Sequence, residues 1–473
     1  SKKWSDQRKD WVIEGTKEQD EPEENDQEKT QSITDYVNRQ LRTFSIYDNY
    51  RSIPSCIDGF KPSLRKVLFC CLKRNLLKDI KVAQLAGYVS EHGAYHHGEM
   101  SLHGTIVNMA QDYVGANNIN LLEPSGQFGT RLMGGADSAS PRYIHTRLAS
   151  AVNKIFKSED NKILKYLEED GMIIEPKYYI PTLPMVLVNG AKGIGTGFST
   201  DIPCFNPEDI KQNLKRILNS EPYQEMTPWY KNFKGEIKKI QDNKWTTYGL
   251  YEKKDSRTIW IKELPVNKWT ENYKKILDTL ESEKKIESYK NDSSTTEVSF
   301  YVKMKPSELN SLIKNNQVYD FFKLKSNVSA TNMYLFDKDN VITKFLNIES
   351  IMRHYFGVRI EHYRKVKEDI IETVTKILEK NNAKVRYIKE ILDRTIEPFG
   401  KKKDKQIEIL KKRQYPELQD EYGYIFNMKI ENLTMENIEK LEKDTLDKEQ
   451  KLEAMKNTTT TQMWKNDLDS IIF

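Results

Sequence analysis

The most regular pattern of apolar positions lies in the last third of the chain. Phe356, Ile360, Tyr363, Ile370, Val374, Ile377, Ile388 and Ile391 recur with a 4–3 spacing, interrupted at Lys367, Asn381 and Lys384. An α-helix turns once every 3.6 residues, so this spacing draws one apolar stripe along one face. A second set, Ile438, Leu441, Leu452 and Met455, keeps the rhythm less well. Thr445 and Lys448 take its middle positions, and Leu446 falls one residue out of register. Pro398-Phe399-Gly400 and the run KKKDK separate the two sets. Two long helices packed antiparallel are the simplest solution. The first, about 347–395, would span ~70 Å at a rise of 1.5 Å per residue. The second is shorter, so residues near 404–414 are predicted to be helical as well.

Other patterns hold elsewhere. In 185–345, short alternating stretches such as Thr258-Ile259-Trp260-Ile261 and Glu297-Val298-Ser299-Phe300-Tyr301-Val302 predict strands broken by Lys, Asn and Asp turns. That region reads as a mixed α/β domain. In 51–184 apolar clusters alternate with Gly-rich turns, and several short helices are implied. IDGFKPSLRKVLFCCLKRN predicts a helix entered at Lys61-Pro62, because proline suits a first helical turn. Its basic residues Lys61, Arg65, Lys66, Lys73 and Arg74 frame the apolar ones, as in a DNA-reading helix or an ordinary solvated face. ITDYVNRQLRTFSIYDN has helical spacing from Ile33 onward. Ahead of it, the acidic and apolar-free KEQDEPEENDQE at 17–28 reads as a flexible linker.

A chain of 473 residues is long enough for several cores. Its 75 Lys and Arg against 70 Asp and Glu are too evenly balanced to identify a polyanionic partner. Cys56, Cys70, Cys71 and Cys204 fit neither a disulfide framework nor zinc spacing, and buried structural thiols are expected. No apolar run reaches the ~18–20 residues of a membrane span. The chain opens Ser1-Lys2-Lys3 with no signal-peptide pattern and no Met, as a fragment would. A reducing, intracellular setting is expected.

Five of the seven histidines, His92, His96, His97, His103 and His145, lie close together. Two are adjacent and no cysteine is nearby, so the spacing suits zinc poorly. Between residues 51 and 150 there are eleven Lys or Arg against seven Asp or Glu. Histidines in that setting suit hydrogen bonding to phosphate oxygens, which only accept. QFGTRLMGGADSASPRYIHTRL places Arg142 beside Tyr143. A phenol with pKa near 10 becomes a nucleophile only where cations or a base favour its phenolate. Arg142, Arg51, Lys61 and His97 are the candidates to supply that field. From the residues alone a tyrosine beside an arginine is usually just structural. GAKGIGTG follows an apolar stretch, MVLVN, that reads as a strand. It lacks both the G-x-G-x-x-G and GK[ST] patterns of nucleotide sites. Its glycines flank Ile194, either a core residue at a tight turn or an aliphatic tip able to wedge between base pairs. Asp467-Leu468-Asp469 resembles a metal pair but reads better as the surface of a terminal helix.

Taken together, RSIPSCIDGFKPSLRKVLF, KVAQLAGYVSEHGAYHHGEMSLHGTI, DYVGANNINLLEPSGQFGTR, GGADSASPRYIHTRL, EPKYYIPTLPMVLVNGAKGIGTGFSTDIP, ELPVNKWT and TTTTQMWKNDLDSI resemble, in order, the eukaryotic topoisomerase II family. The histidine and tyrosine motifs YHHGE and RYIHT fit this branch rather than bacterial gyrase. The resemblance implies an α+β multidomain fold with four parts. These are the end of a TOPRIM-like segment and an acidic linker (1–30), a winged-helix (CAP-like) DNA-cleavage domain (31–184), an α/β tower domain (185–345), and a long antiparallel coiled coil with a helical exit gate for dimerisation (346–473). It implies that Tyr143 attacks DNA and becomes 5′-phosphotyrosyl-linked. Arg142, Arg51, Lys61 and His97 would act around the scissile phosphate. Ile194 would intercalate, and His96, Arg65 and Lys66 would contact DNA.

The same resemblance implies double-stranded DNA as substrate, a homodimer, a nuclear location, and ATP-dependent relaxation and decatenation in the full enzyme. Mg²⁺ would be held by a TOPRIM domain, and ATP by an ATPase domain, both outside this chain. No metal or nucleotide site is expected within it. A non-catalytic DNA-binding scaffold with a coiled-coil dimeriser is the competing reading; gyrase-like supercoiling would need a wrapping domain that these motifs do not include.

Overall fold

A computed structural model describes residues 2–17, 32–397, 400–418 and 421–472. The expected linker 17–28, apart from Lys17, lies outside the described residues, as do Pro398 and Phe399. The chain divides into two compact units, Ser1–Arg359 with Asp467–Phe473, and Ile360–Asn466.

In the larger unit, the helix Lys2–Lys17 sinks Val12 into a small core with Ile53, Phe198, Phe336 and Ile342. Ile33–Tyr36 begins a second helical run, capped by the Ser32 hydroxyl, which accepts the Asp35 N–H. The run widens to a π turn at Val37–Leu41 and continues as Arg42–Ser52. The expected helix at Lys61-Pro62 forms over Pro62–Lys73, with Pro62 in the first turn. Helices Val82–His92 and Glu99–Ala110 follow. They accompany a three-stranded antiparallel sheet in which His145–Leu148 lies between Ile80–Lys81 and Leu122–Ser125.

Short helices beside a small sheet leave many backbone groups to be satisfied by side chains. Asn118, 5% exposed, does much of this. Its amide donates to the carbonyls of Val188, Phe205 and Trp229, and its oxygen accepts the Lys231 N–H.

MVLVN is not the strand its apolar run predicts. Met185–Val188 is a single buried helical turn, closed by Val188 and Asn189 N–H donating to the Pro184 and Met185 carbonyls. A four-residue apolar run carries no period that separates the two forms. The strand begins later, at Ala191–Ile194. It makes a hairpin with Ser199–Ile202, extended into a four-stranded sheet by Asn332–Phe336 and Ile342–Lys344.

Farther along, Thr258–Glu263 sits inside a second four-stranded sheet whose buried face carries Ile259, Ile261, Phe300 and Val302. Tyr273 and Leu277 of the helix Thr270–Ser282 belong to the same core. The strand expected over 297–302 is confined to Phe300–Lys303. Glu297 is held in a tight turn, its N–H on the Ser294 hydroxyl and its carbonyl accepting the Ser294 N–H.

The smaller unit is built on the long helix predicted by the 4–3 rhythm, which runs Ile348–Leu392. Its 45 residues span about 68 Å at the ordinary helical rise. The second helix is Met435–Asn457, and Lys403–Lys412 forms the expected extra helix between them. Four contacts fix the direction. Lys389 meets Glu442, Asn381 meets Asp444, Lys367 meets the carbonyls of Lys456 and Thr458, and Tyr363 lies against Trp464. One number rises as the other falls, so the helices are antiparallel. Two of the three polar breaks in the rhythm, Lys367 and Asn381, are thus seam contacts. Leu446, out of register, is 55% exposed. Between the long helices a cap forms from Tyr387, Ile396, Leu410, Tyr415, Tyr422 and Tyr424.

Candidate functional site

Five of the predicted residues, Arg51, Lys61, His97, His96 and Lys66, line one cavity of about 730 Å³. Arg51 sits in the last turn of Arg42–Ser52, its guanidinium 5.9 Å from the ring centre of Tyr47, one turn earlier. Lys61 stands just ahead of the helix Pro62–Lys73. Its ammonium makes no hydrogen bond or ion pair with the described residues, and burial pushes its pKa down. A desolvated cation without a partner favours an incoming anion. His97 follows the buried Tyr95, and its Nε2 lies 3.1 Å from the Tyr47 hydroxyl. The edge of one ring meets the face of the other at 5.4 Å between Tyr95 and His97. Burial lowers the His97 pKa, and the positive charges of Arg51, His96 and Lys66 lower it further. The cavity therefore gathers hydrogen-bond donors and positive charge, as an acceptor-only anion requires.

His96, also on the cavity lining, is largely exposed, with its Nε2 2.8 Å from Glu169.

Arg65 and Lys66, expected to contact DNA, have their charged groups engaged by protein. Arg65 is 3% exposed. Its guanidinium donates to both oxygens of Asp58, at 2.7 and 3.3 Å, and to the Phe60 carbonyl. Asp58 also accepts the N–H groups of Phe60 and Tyr179, so the pair is a fully bonded fastener of the core. Lys66 touches the cavity, but its ammonium donates to the Gly93 carbonyl and to Glu175. Burial holds the Glu175 pKa up, against the pull of Lys66. On an amphipathic helix the basic residues at the boundary turn inward when an acid waits there.

Arg142 and Tyr143 are not among the described residues that line this cavity. They occupy a turn closed by the Tyr143 N–H on the Ser140 carbonyl, with the Arg142 guanidinium 5.9 Å from the Tyr143 ring centre. Helix starts leave their first N–H groups unpaired. Here Val82 and Ala83, at the start of Val82–His92, donate to the carbonyls of Ile144 and Pro141. Ile144 is buried while Tyr143 is 73% exposed. A pinned backbone thus presents a phenol to solvent.

Ile194 is 86% exposed, which removes the core reading. The hairpin tip beside it is fixed by Asn49 donating to the Thr196 carbonyl and Thr196 donating to Asp48. A Cβ on Gly193 or Gly195 would collide with Ser52 or Asn49, so the glycines allow the hairpin to lie against the end of Arg42–Ser52.

The other histidines are in structural company: His92 is stacked on Tyr88, and His103 lies near Glu99. Among the described residues no three His, Cys, Asp or Glu side chains group as a metal site needs. All four cysteines are buried, and burial pushes the Cys70 and Cys204 thiols up to about 12. Asp467 and Asp469 are ion-paired to Lys157 and Lys215, with Leu468 buried between them. Among the described residues no helix is long and apolar enough to cross a membrane.

Comparison with known proteins shows the family and the fold. A family model for the A-type subunits of DNA gyrase/topoisomerase IV matches residues 51–469. DNA topoisomerase 2 of Plasmodium falciparum is 40% identical over 482 residues, covering 94% of this chain and 34% of that protein. DNA topoisomerase 2-alpha of Mus musculus is 39% identical over 477 residues, covering 92% of this chain and 31% of its own length. The chain thus spans about a third of these curated relatives. The crystal structure of the Plasmodium falciparum topoisomerase II DNA-binding, cleavage and re-ligation domain superposes with a TM-score of 0.89 at 40% identity. That match covers 99% of this chain and 67% of the other.

Proposed function

Because the chain belongs to the family of DNA gyrase/topoisomerase IV A-type subunits, we propose that it is the breakage-and-rejoining part of a eukaryotic-type topoisomerase II. Tyr143 is its covalent nucleophile. The observation that carries this reading is the exposed Tyr143 beside Arg142 on a turn whose backbone is pinned by a neighbouring helix.

The Tyr143 phenolic oxygen attacks a backbone phosphorus. An O–P bond forms to the tyrosine as its phenolic proton passes to solvent, the P–O3′ bond breaks, and the departing 3′ oxygen takes a proton from solvent. The 5′-phosphate stays on Tyr143, and the reverse step rejoins the strand. Arg142 stabilises the charge that grows on phosphorus. Arg51, Lys61 and His97 hold phosphate oxygens in the cavity. Ile194 wedges between base pairs and bends the duplex. His96, exposed nearby, contributes to the DNA-facing surface.

The winged-helix, tower and coiled-coil divisions at 31–184, 185–345 and 346–473 describe this machine. A second copy joins through the coiled-coil region. Mg²⁺ and ATP would be held by other parts of the enzyme. The whole enzyme works on double-stranded DNA in the nucleus, relaxing and decatenating it in an ATP-dependent cycle.

The test supplies the chain with an upstream metal-holding domain, Mg²⁺ and supercoiled plasmid, and stops the reaction with detergent. Protein attached to 5′ ends is expected. A Tyr143→Phe variant that still forms the adduct would overturn the assignment.

A further inference from the structure

Tyr47 touches both His97 and Arg51 without having been singled out by any motif. Its hydroxyl lies 3.1 Å from His97 Nε2, and its ring lies beneath the Arg51 guanidinium at 5.9 Å. The two contacts use different parts of one side chain, and Tyr47 and Arg51 are one helical turn apart on Arg42–Ser52. His97 Nδ1 makes no hydrogen bond with the described residues. We propose that Tyr47 is a positioning residue: its hydroxyl donates to Nε2 of neutral His97, which places the ring proton on Nδ1 and aims a donor at DNA phosphate.

A neutral imidazole carries one N–H, and the hydrogen bond made by one nitrogen decides which nitrogen carries it. A phosphate oxygen only accepts, so the useful form has the proton on the nitrogen free to face it. With Nε2 occupied as an acceptor, Nδ1 must be the donor. The groups facing His97 all disfavour a second proton or are neutral themselves. Arg51, His96 and Lys66 bring positive charge, while Tyr47 and Tyr95 are uncharged. Glu169 is engaged by His96 rather than by His97. The ring contact to Arg51 adds a second function, since it holds the guanidinium beside the imidazole.

The inference rests on the DNA-cleavage reading of His97, and the experiment separates the two. Tyr47→Phe, His97→Ala and the double variant are assayed for cleavage complexes across pH, with the metal-holding domain and Mg²⁺ supplied. Phenylalanine keeps the ring under Arg51 and removes only the hydroxyl. Tyr47→Phe should lower cleavage at neutral pH about three- to tenfold, with thermal melting and DNA affinity close to the parent. A hydrogen bond to the neutral form holds the imidazole pKa down, so its loss should raise the His97 pKa, read by NMR of the ring, and release the fixed tautomer. The double variant should lose no more than His97→Ala alone, because the hydroxyl acts through the imidazole. Additive losses, or an unmoved His97 pKa in Tyr47→Phe, overturn the positioning role while leaving His97 in place. If His97→Ala cleaves normally, the reading of His97 fails and this inference fails with it.

Discussion

Gly193 packs so closely on the backbone carbonyl of Ser52 that a side chain of even one carbon would sit inside contact distance. The collision is with backbone, which cannot swing aside. Gly193→Ala should therefore lift the hairpin off the helix Arg42–Ser52 at a cost of about 2 kcal/mol or more. Chemical denaturation reads the cost; a variant as stable as the parent would show that the hairpin is not held there.

Ile194 raises a different expectation, because its side chain is in solvent and supports no core. Ile194→Ala should leave the melting temperature unchanged and weaken DNA bending far more than DNA affinity. Fluorescence transfer between dyes at the ends of a short duplex would report the bend. Equal bending by parent and variant would remove the wedge.

Arg65 and Asp58 form a buried pair in which every partner is protein. Arg65→Ala leaves a buried carboxylate without its cation and should cost ~3–5 kcal/mol. The folded fraction should bind DNA with parental salt dependence, since the guanidinium never reached solvent. A reduced salt slope without loss of stability would contradict the buried assignment.

His354 gives the larger unit an acid sensitivity of its own. Its Nε2 accepts the Lys338 N–H at 3.3 Å, and its ring meets Phe345 edge to face. Burial, with Lys338 beside it, holds its pKa below the ordinary 6.5, although Asp337 and Asp339 pull the other way. Below pH 6.5 the unfolded chain takes up this proton before the folded chain does. Stability should therefore fall as pH drops below that value, and the loss should level off once the folded chain is protonated too. His354→Gln keeps an acceptor and cannot titrate, so its melting temperature should vary less over the same range. Parallel curves for parent and variant would assign the acid loss to other groups.

Lys367 closes the end of the helix Met435–Asn457 by donating to the Lys456 and Thr458 carbonyls. A cation there also meets the negative end of the helix. Lys367→Met should destabilise the coiled-coil unit by about 1–2 kcal/mol, although methionine suits the apolar rhythm better. Urea denaturation followed by helical circular dichroism would measure it, and a stabilised variant would mean that the seam prefers apolar packing.

The long helices were legible in the sequence because 45 residues offer many turns over which a period can declare itself. The helix at Pro62 was legible from one stereochemical constraint. Met185–Val188 was not, since four apolar residues satisfy strand and helix alike. The cavity was half legible. Arg51, Lys61 and His97 were found through motif order, whereas the inward turn of Arg65 depends on Asp58 being folded back against it. Tyr47 could not be found, because its partner His97 lies fifty residues away and no spacing links them. Asn118 escaped for the same reason, its partners lying 70 to 113 residues distant.

The coiled-coil unit, Ile360–Asn466, is an insertion: the chain on both sides of it belongs to the larger unit. Its two long helices are matched, with Asn381 set against Asp444 and Lys389 against Glu442. A change in length is therefore tolerable only in pairs. Seven residues added below Asn381 need seven added above Asp444, or every contact toward the tip falls out of step. Such an arm can change length by compensated pairs of insertions, while a lone insertion in one helix breaks the contacts along the seam.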